Sequence, residues 1–250
     1  MIDQRGSATC GSDVSSRGPR RSLAWGVVGV IAQITFMAGW LIAETWQGPR
    51  YSSIKYTISD LQAATAPHAW FVISCFAIGG IASFLFAVFG LRPALAKAGA
   101  VRAYAPWVLA VSALALGNSF PQIPCRLADA GCSAHYQLNS AGGMTDAIVS
   151  SIAFLVLAFT PVFLGPRIAA VAEWRHIQRI VAVARIVLPL SFVVLGIASN
   201  GSAVQGLAER VLATVCVLWI GVLAVTLISV ARRTQSSHSD ILQPVMKGTR

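Results

Sequence analysis

This chain of 250 residues contains six apolar segments separated by polar stretches, a pattern that is compatible with few folds. A transmembrane helix needs about 20 consecutive apolar residues to cross the hydrocarbon core of a bilayer. Charged residues make up only 11% of the chain, against roughly 25% in a soluble domain. We therefore predict an all-α polytopic membrane protein, a bundle of six transmembrane helices. The predicted spans are residues 23–43, 69–91, 104–120, 142–164, 180–199 and 211–230.

The Lys and Arg residues between these spans predict an orientation. Six crossings divide the polar stretches into two sets, one with fourteen Lys and Arg residues and one with four. Because cytoplasmic segments are enriched in Lys and Arg, we expect the richer set, and with it both termini, to be cytoplasmic. The net charge of +10 then reflects membrane insertion, and we expect no nucleic-acid partner. The Arg-rich, Ala-rich composition is typical of a bacterial protein, which places the chain in the plasma membrane. The four residues of the poorer set are Arg50, Lys55, Arg126 and Arg210.

The ends of the chain differ in composition from its centre. Residues 1–22 are rich in Ser, Gly and Arg, and residues 231–250 are mainly polar, so we expect both to be disordered cytoplasmic tails. Residues 23–230 form the predicted transmembrane domain. Its first span is long for the apolar core of a cleaved signal peptide, and we expect it to be retained.

The second external loop contains two cysteines, Cys125 and Cys132, followed by His135. In an oxidising compartment this spacing favours a disulfide between the cysteines. Zinc binding by the same three residues is the alternative, but zinc-binding cysteine pairs are usually separated by two to four residues. We expect the disulfide, and we predict no metal and no cofactor.

The remaining polar residues of the external face are candidates for a ligand-binding site. Asp146 lies inside the fourth span, where a carboxylate is costly and commonly functional, and Ser150 lies one turn further along the same helix face. Arg210 could neutralise Asp146 or Asp60. Ser59 and Asp60 could instead cap a short helix in the first external loop. His135 adds a titratable imidazole to this acidic face. The candidate residues are Tyr51, Ser59, Asp60, His135, Asp146, Ser150 and Arg210.

Several of these residues stand in short motifs whose order resembles a bacterial membrane-protein family, domain-of-unknown-function family 998. The resemblance covers about residues 23–230 and implies a multi-spanning architecture with a cluster of external motif residues. It implies no reaction. The motifs are Tyr51-Ser52, Ile58-Ser59-Asp60-Leu61, Phe120-Pro121, His135, and Gly206-Leu207 followed by Arg210.

Three kinds of function remain open on the sequence alone. The external polar residues could bind or move a lipid headgroup or a small polar ligand. They could belong to a membrane-embedded hydrolase or transferase in which Asp60 and His135 act on a lipidic substrate, with or without a divalent metal, and Arg210 holds a phosphate or carboxylate. They could also stabilise the bundle of a non-catalytic accessory subunit. The sequence does not fix the oligomeric state.

Overall fold

A computed structural model describes residues 12–117, 123–199 and 203–247, and the side chains of 18–117, 123–199 and 203–236. These residues form helices and connecting loops, with no β-strand among them. The all-α prediction is therefore confirmed. The α-helices are α1 (Ser12–Glu44), α2 (Ala69–Leu85), α3 (Arg92–Ala94), α4 (Ala105–Leu116), α5 (Ala134–Asn139), α6 (Ala141–Ala170), α7 (Gln178–Ala198) and α8 (Gln205–Lys247). A π-helix, Phe86–Leu91, joins α2 to α3, and 3₁₀ helices occupy Ser59–Gln62, Ala96–Ala98 and Ala172–Ile177.

Five helical segments of the described chain are long and apolar enough to cross a membrane, which indicates a multi-pass membrane protein. They are Gly18–Glu44, Ala69–Ala94, Ala141–Ala170, Ala172–Ala198 and Gln205–Ser236. Five of the six predicted spans fall within these segments.

The third predicted span, residues 104–120, contains a shorter helix. Helix α4 has 12 residues, about 18 Å at 1.5 Å per residue, which is less than the hydrocarbon core. Its C-cap residue Gly117 packs directly on Gly80 in the middle of α2. Residues 118–122 lie outside the described chain, so the sixth crossing remains a prediction.

The loops gather at two ends of the bundle. One end, here called the cap, consists of residues 45–68, residues 123–140 and the start of α8. The other, here called the basic end, contains the start of α1, residues 92–105, the end of α6 and residues 172–177. At the basic end Lys97 pairs with Glu173, and Arg167 donates to the carbonyl oxygens of Gly99 and Val101 at 3.1 and 2.9 Å. This division agrees with the two sets of polar stretches in the sequence.

Small residues and single polar pairs hold the helices between these ends together. Gly26 of α1 packs against Ile228 and Ala224 of α8. Gln33 donates to Ser83 between α1 and α2 at 2.8 Å, and the Trp219 indole donates to Thr160 between α8 and α6 at 3.0 Å. Close approach at small residues and isolated polar bonds are the usual means of packing in a bilayer, where apolar contact with lipid competes with apolar contact between helices.

Helical structure also extends beyond the predicted transmembrane domain. Helix α1 begins at Ser12 and α8 continues to Lys247, so helix enters both segments that the composition predicts to be disordered tails. A helix satisfies its own backbone hydrogen bonds and can continue past the edge of the bilayer without a partner.

Candidate functional site

The first loop of the cap, residues 45–68, folds back onto the helices. The predicted short helix is present as the 3₁₀ helix Ser59–Gln62. The capping role suggested for Ser59 or Asp60 is not observed, because Ile58 precedes the helix and no side chain caps it. Ser59 Oγ lies 3.0 Å from Thr57 Oγ1, and Asp60 is turned into the interior.

Arg210 is the centre of the cap. Its Nε lies 2.5 Å from Glu44 Oε1, one Nη donates to Tyr51 Oη at 2.6 Å, and the other Nη donates to the carbonyl oxygens of Tyr56 and Gly206. The guanidinium carbon also lies 5.8 Å from the centre of the Trp40 ring, within the range of a cation–π contact. Arg210 thus joins α1, the first cap loop and α8.

The ion pair corrects one expectation from the sequence. The partner of Arg210 is Glu44, and neither Asp146 nor Asp60 forms an ion pair with it. The reason is the packing of α1 along α8, which places the last residue of α1 beside the first turns of α8.

Asp60 lies beneath the second cap loop with only 1% of its surface exposed. Its Oδ1 accepts hydrogen bonds from the Leu127 backbone N–H and from Gln137 Nε2, each at 3.1 Å, while Oδ2 has no hydrogen-bond partner. Burial raises the pKa of Asp60 above its ordinary value, and the interactions with Leu127, Gln137 and Thr57 only partly offset this. Gln137 also donates to the Cys125 carbonyl oxygen at 2.6 Å, so it holds Asp60 against the second loop.

A second cluster, which was not predicted from the sequence, closes the cap. Arg126 binds Asp129 through Nε and Nη2 at 3.1 and 2.6 Å, and its Nη1 donates to the side-chain and backbone oxygens of Gln47. Thr65 donates to Asp129 as well. The hydrogen bonds from Arg126 hold the pKa of the Asp129 carboxyl below its usual range. These contacts fasten the second cap loop to the first.

The predicted disulfide is present in the same loop. Cys125 and Cys132 are bonded, with Cα atoms 6.1 Å apart. Among the described residues no three His, Cys, Asp or Glu side chains converge in a way that would hold a metal ion. Because Cys125 and Cys132 are bonded to each other, the structure favours the disulfide over the zinc alternative.

Three carboxylates from three elements lie beside the Arg210 cluster. Asp146 of α6 accepts a long hydrogen bond from Ser150 at 3.4 Å, which places these two residues on one helix face as predicted. Glu209 of α8 accepts the Ile58 backbone N–H at 2.7 Å. Asp60, Asp146 and Glu209 are close enough to interact electrostatically. Within the described residues none of these three carboxylates forms an ion pair.

His135 does not join this group. It lies on α5, exposed, with Nε2 3.0 Å from Asn139 Nδ2 of the same short helix. The face of α5 that turns inward carries Gln137 instead. Of the seven predicted site residues, Tyr51 and Arg210 are in direct contact, and Asp60 and Asp146 interact electrostatically with each other. Ser59 and Ser150 hydrogen-bond to Thr57 and Asp146, and His135 lies apart. The Phe120-Pro121 motif falls outside the described residues.

The raised pKa of Asp60 predicts a pH dependence of stability. A folded-state pKa above the unfolded value favours the protonated native protein, so this contribution is complete below about pH 4, the ordinary Asp pKa, and is lost as pH rises through the folded pKa. Asp60→Asn keeps an oxygen to accept the Leu127 and Gln137 hydrogen bonds but cannot titrate. We expect the unfolding free energy of the variant to fall less than that of the wild type as pH rises above about 4. Parallel pH profiles for the two proteins would contradict this assignment.

Comparison with known proteins gives one match. The family described as "Protein of unknown function (DUF998)" matches residues 30–226, which include every described element of the cap and the helices from α2 to α7 in full. No curated protein and no solved structure matches the chain.

Proposed function

The chain belongs to the DUF998 family, and from that premise we propose that it is a plasma-membrane protein whose cap faces outward and binds the cationic group of a small polar ligand or a lipid headgroup. The observation that supports the proposal is that Asp60, Asp146 and Glu209, which come from three elements, lie close enough to interact electrostatically. A positively charged group would offset this acidity and relieve the repulsion among the carboxylates.

The position of Asp146 supports a ligand at the edge of the bilayer. It stands on α6, in the first turns from the cap, and it accepts a long hydrogen bond from Ser150. A carboxylate at such a depth is energetically costly, so its presence there usually indicates a function. A ligand that reaches it would approach either from the external solution or from the outer leaflet, which is why a headgroup and a free small molecule both fit.

Binding of a water-soluble headgroup tests this proposal. Glycerophosphoethanolamine carries an ammonium group, and glycerophosphoglycerol has the same phosphodiester without it. We expect the purified protein to bind the first and not the second in calorimetric titrations. Asp146→Asn should weaken binding about tenfold, which corresponds to 1.4 kcal/mol, because a neutral amide loses the charge attraction.

Asp129→Asn is the matched control for this experiment. Asp129 is also a carboxylate of the cap, but its hydrogen bonds go to Arg126 and Thr65 in the closing cluster. We expect Asp129→Asn to lower stability and leave binding unchanged. Equal binding of the two headgroups, or equal effects of the two variants on binding, would refute the proposed site.

One observation favours a second candidate, a non-catalytic accessory subunit. The hydrogen bonds of Arg210 and Arg126 go to groups of the chain itself, as expected of residues that fix the shape of a cap. The hydrolase or transferase alternative gains less support, because His135 lies apart from Asp60 and Arg210 is occupied by Glu44. If the site variants bind and function as the wild type does, the accessory role is the one that remains.

A further inference from the structure

A cavity of about 1190 Å³ opens at the basic end of the bundle, far from the cap. The start of α1, the π-helix with α3, the start of α4 and the end of α6 form its walls. Three arginines line it, Arg21, Arg92 and Arg167, one from each of three segments of the chain. No Asp or Glu is among the described residues that line it.

The three arginines lack the partners that such a concentration of charge requires. Within the described residues none of them forms an ion pair with a carboxylate, and the nearby Glu173 is paired with Lys97. Arg21 and Arg92 are exposed, whereas Arg167 is only 4% exposed. Like charges gathered without a counter-charge raise the energy of the folded protein, and an anion in the cavity would lower it.

Arg167 provides an independent sign of a missing ligand. One Nη donates to the carbonyl oxygens of Gly99 and Val101, but the buried Nε has no hydrogen-bond partner. A buried guanidinium N–H without an acceptor costs about as much as a lost hydrogen bond to a charged group, and such groups are rare without a reason. The side chain lines the cavity, so an anion bound there is the natural acceptor.

The other walls include exposed aromatic side chains. Trp25 stacks on Phe89 with ring centres 5.3 Å apart, and Arg92 lies 5.5 Å from the centre of the Trp107 ring. Gly90 in the π-helix allows the close approach of Trp25, whose Cβ would lie 2.8 Å from a Cβ at that position. Phe89 and Trp107 are 52% and 41% exposed. A π-helix within a longer helix frequently marks a functional site.

We propose that this cavity binds the phosphate of an anionic membrane lipid, with its glycerol and acyl chains along the aromatic wall. Arginine side chains suit a phosphate group because the N–H groups of the guanidinium match the positions of the phosphate oxygens. The exposed rings favour a lipid over a soluble phosphate, since only a lipid presents apolar surface to them. Basic cavities between helices near the cytoplasmic leaflet are a known mode of lipid headgroup recognition. The site is independent of the cap and of any ligand bound there.

Binding of a short-chain lipid to the purified full-length protein in neutral detergent tests the site. We expect dihexanoyl phosphatidylglycerol to bind and dihexanoyl phosphatidylcholine, which carries a compensating cation, to bind at least tenfold more weakly. Arg21→Gln and Arg92→Gln should each weaken phosphatidylglycerol binding roughly fivefold. Both residues are exposed, so neither change is expected to lower the melting temperature. Arg167→Gln is less suitable alone, because Arg167 also holds the loop at Gly99 and Val101.

Arg175→Gln is the matched control, because Arg175 is an exposed arginine at the same end of the bundle and does not line the cavity. Unchanged affinity in this variant, with weakened affinity in Arg21→Gln and Arg92→Gln, would support the site. Equal losses in all three variants would overturn it in favour of general attraction to a basic surface. Glycerol phosphate competing at the same concentration as the lipid would also overturn the lipid assignment and leave a soluble phosphate as the ligand.

Discussion

Arg210→Met is expected to lower the free energy of unfolding by about 3 kcal/mol, because it removes one partner of a buried ion pair. Glu44 would remain largely buried beside α8 without a counter-charge, and Tyr51 and the Tyr56 carbonyl oxygen would each lose a hydrogen bond. Since these groups join α1, the first cap loop and α8, the loss should loosen the cap as a unit. Unfolding in mixed micelles by SDS titration measures the change.

Two further variants separate the ion pair from the other contacts of Arg210. Arg50→Met removes an exposed arginine of the same cap and should change stability by less than about 0.5 kcal/mol. The double variant Glu44→Gln/Arg210→Met should recover part of the lost stability, because no buried charge is left unpaired. A single Arg210→Met variant as stable as the wild type would show that the cap does not depend on this residue.

Gly206→Ala is expected to cost about 3 kcal/mol, the upper part of the range for overpacking. A Cβ at this position would lie 2.1 Å from the Tyr56 carbonyl oxygen and 2.6 Å from that of Ser53. Both are backbone atoms, so the start of α8 must move away from the loop. That movement would strain the hydrogen bonds from the Leu207 N–H to Ile54 and from Arg210 to Tyr56.

Gly221→Ala on the same helix is the control for this prediction. No atom lies within 4 Å of a Cβ built at Gly221, and alanine is the better helix former by about 1 kcal/mol. We expect Gly221→Ala to leave stability unchanged or slightly raised in the same titration. Similar effects of the two substitutions would mean that Gly206 does not hold α8 against the loop.

The parts of the fold that depend only on neighbouring residues in the sequence could be predicted. An apolar run of about 20 residues reports a membrane helix without knowledge of its neighbours, and five of the runs coincide with helices. The disulfide followed from the spacing of two cysteines in one loop. The end of α4 was not predicted, since the helix ends at Leu116 with Gly117 as its C-cap residue, whereas the predicted span runs to residue 120.

The candidate site could be predicted only in part, because its contacts join distant positions. Arg210 and Glu44 are 166 residues apart, and composition does not reveal which carboxylate the packing of α1 on α8 brings to the arginine. The interaction of Gln137 with Asp60 joins two loops, and no motif marks the glutamine. His135 was predicted as a site residue because its imidazole can titrate. Which side chains of the six-residue helix α5 face the site depends on how that helix packs on the bundle.

The arrangement of the cap outside and the basic end inside is the claim on which both proposed sites depend, and cysteine labelling tests it most directly. In a chain with Cys125 and Cys132 changed to Ser, Cys10 and a Thr249→Cys substitution are each treated with a membrane-impermeant maleimide in intact cells. Our account predicts that both ends react only after the cells are permeabilised, while an Ile54→Cys substitution in the exposed first cap loop reacts without permeabilisation. Labelling of Cys10 or of position 249 in intact cells would contradict it.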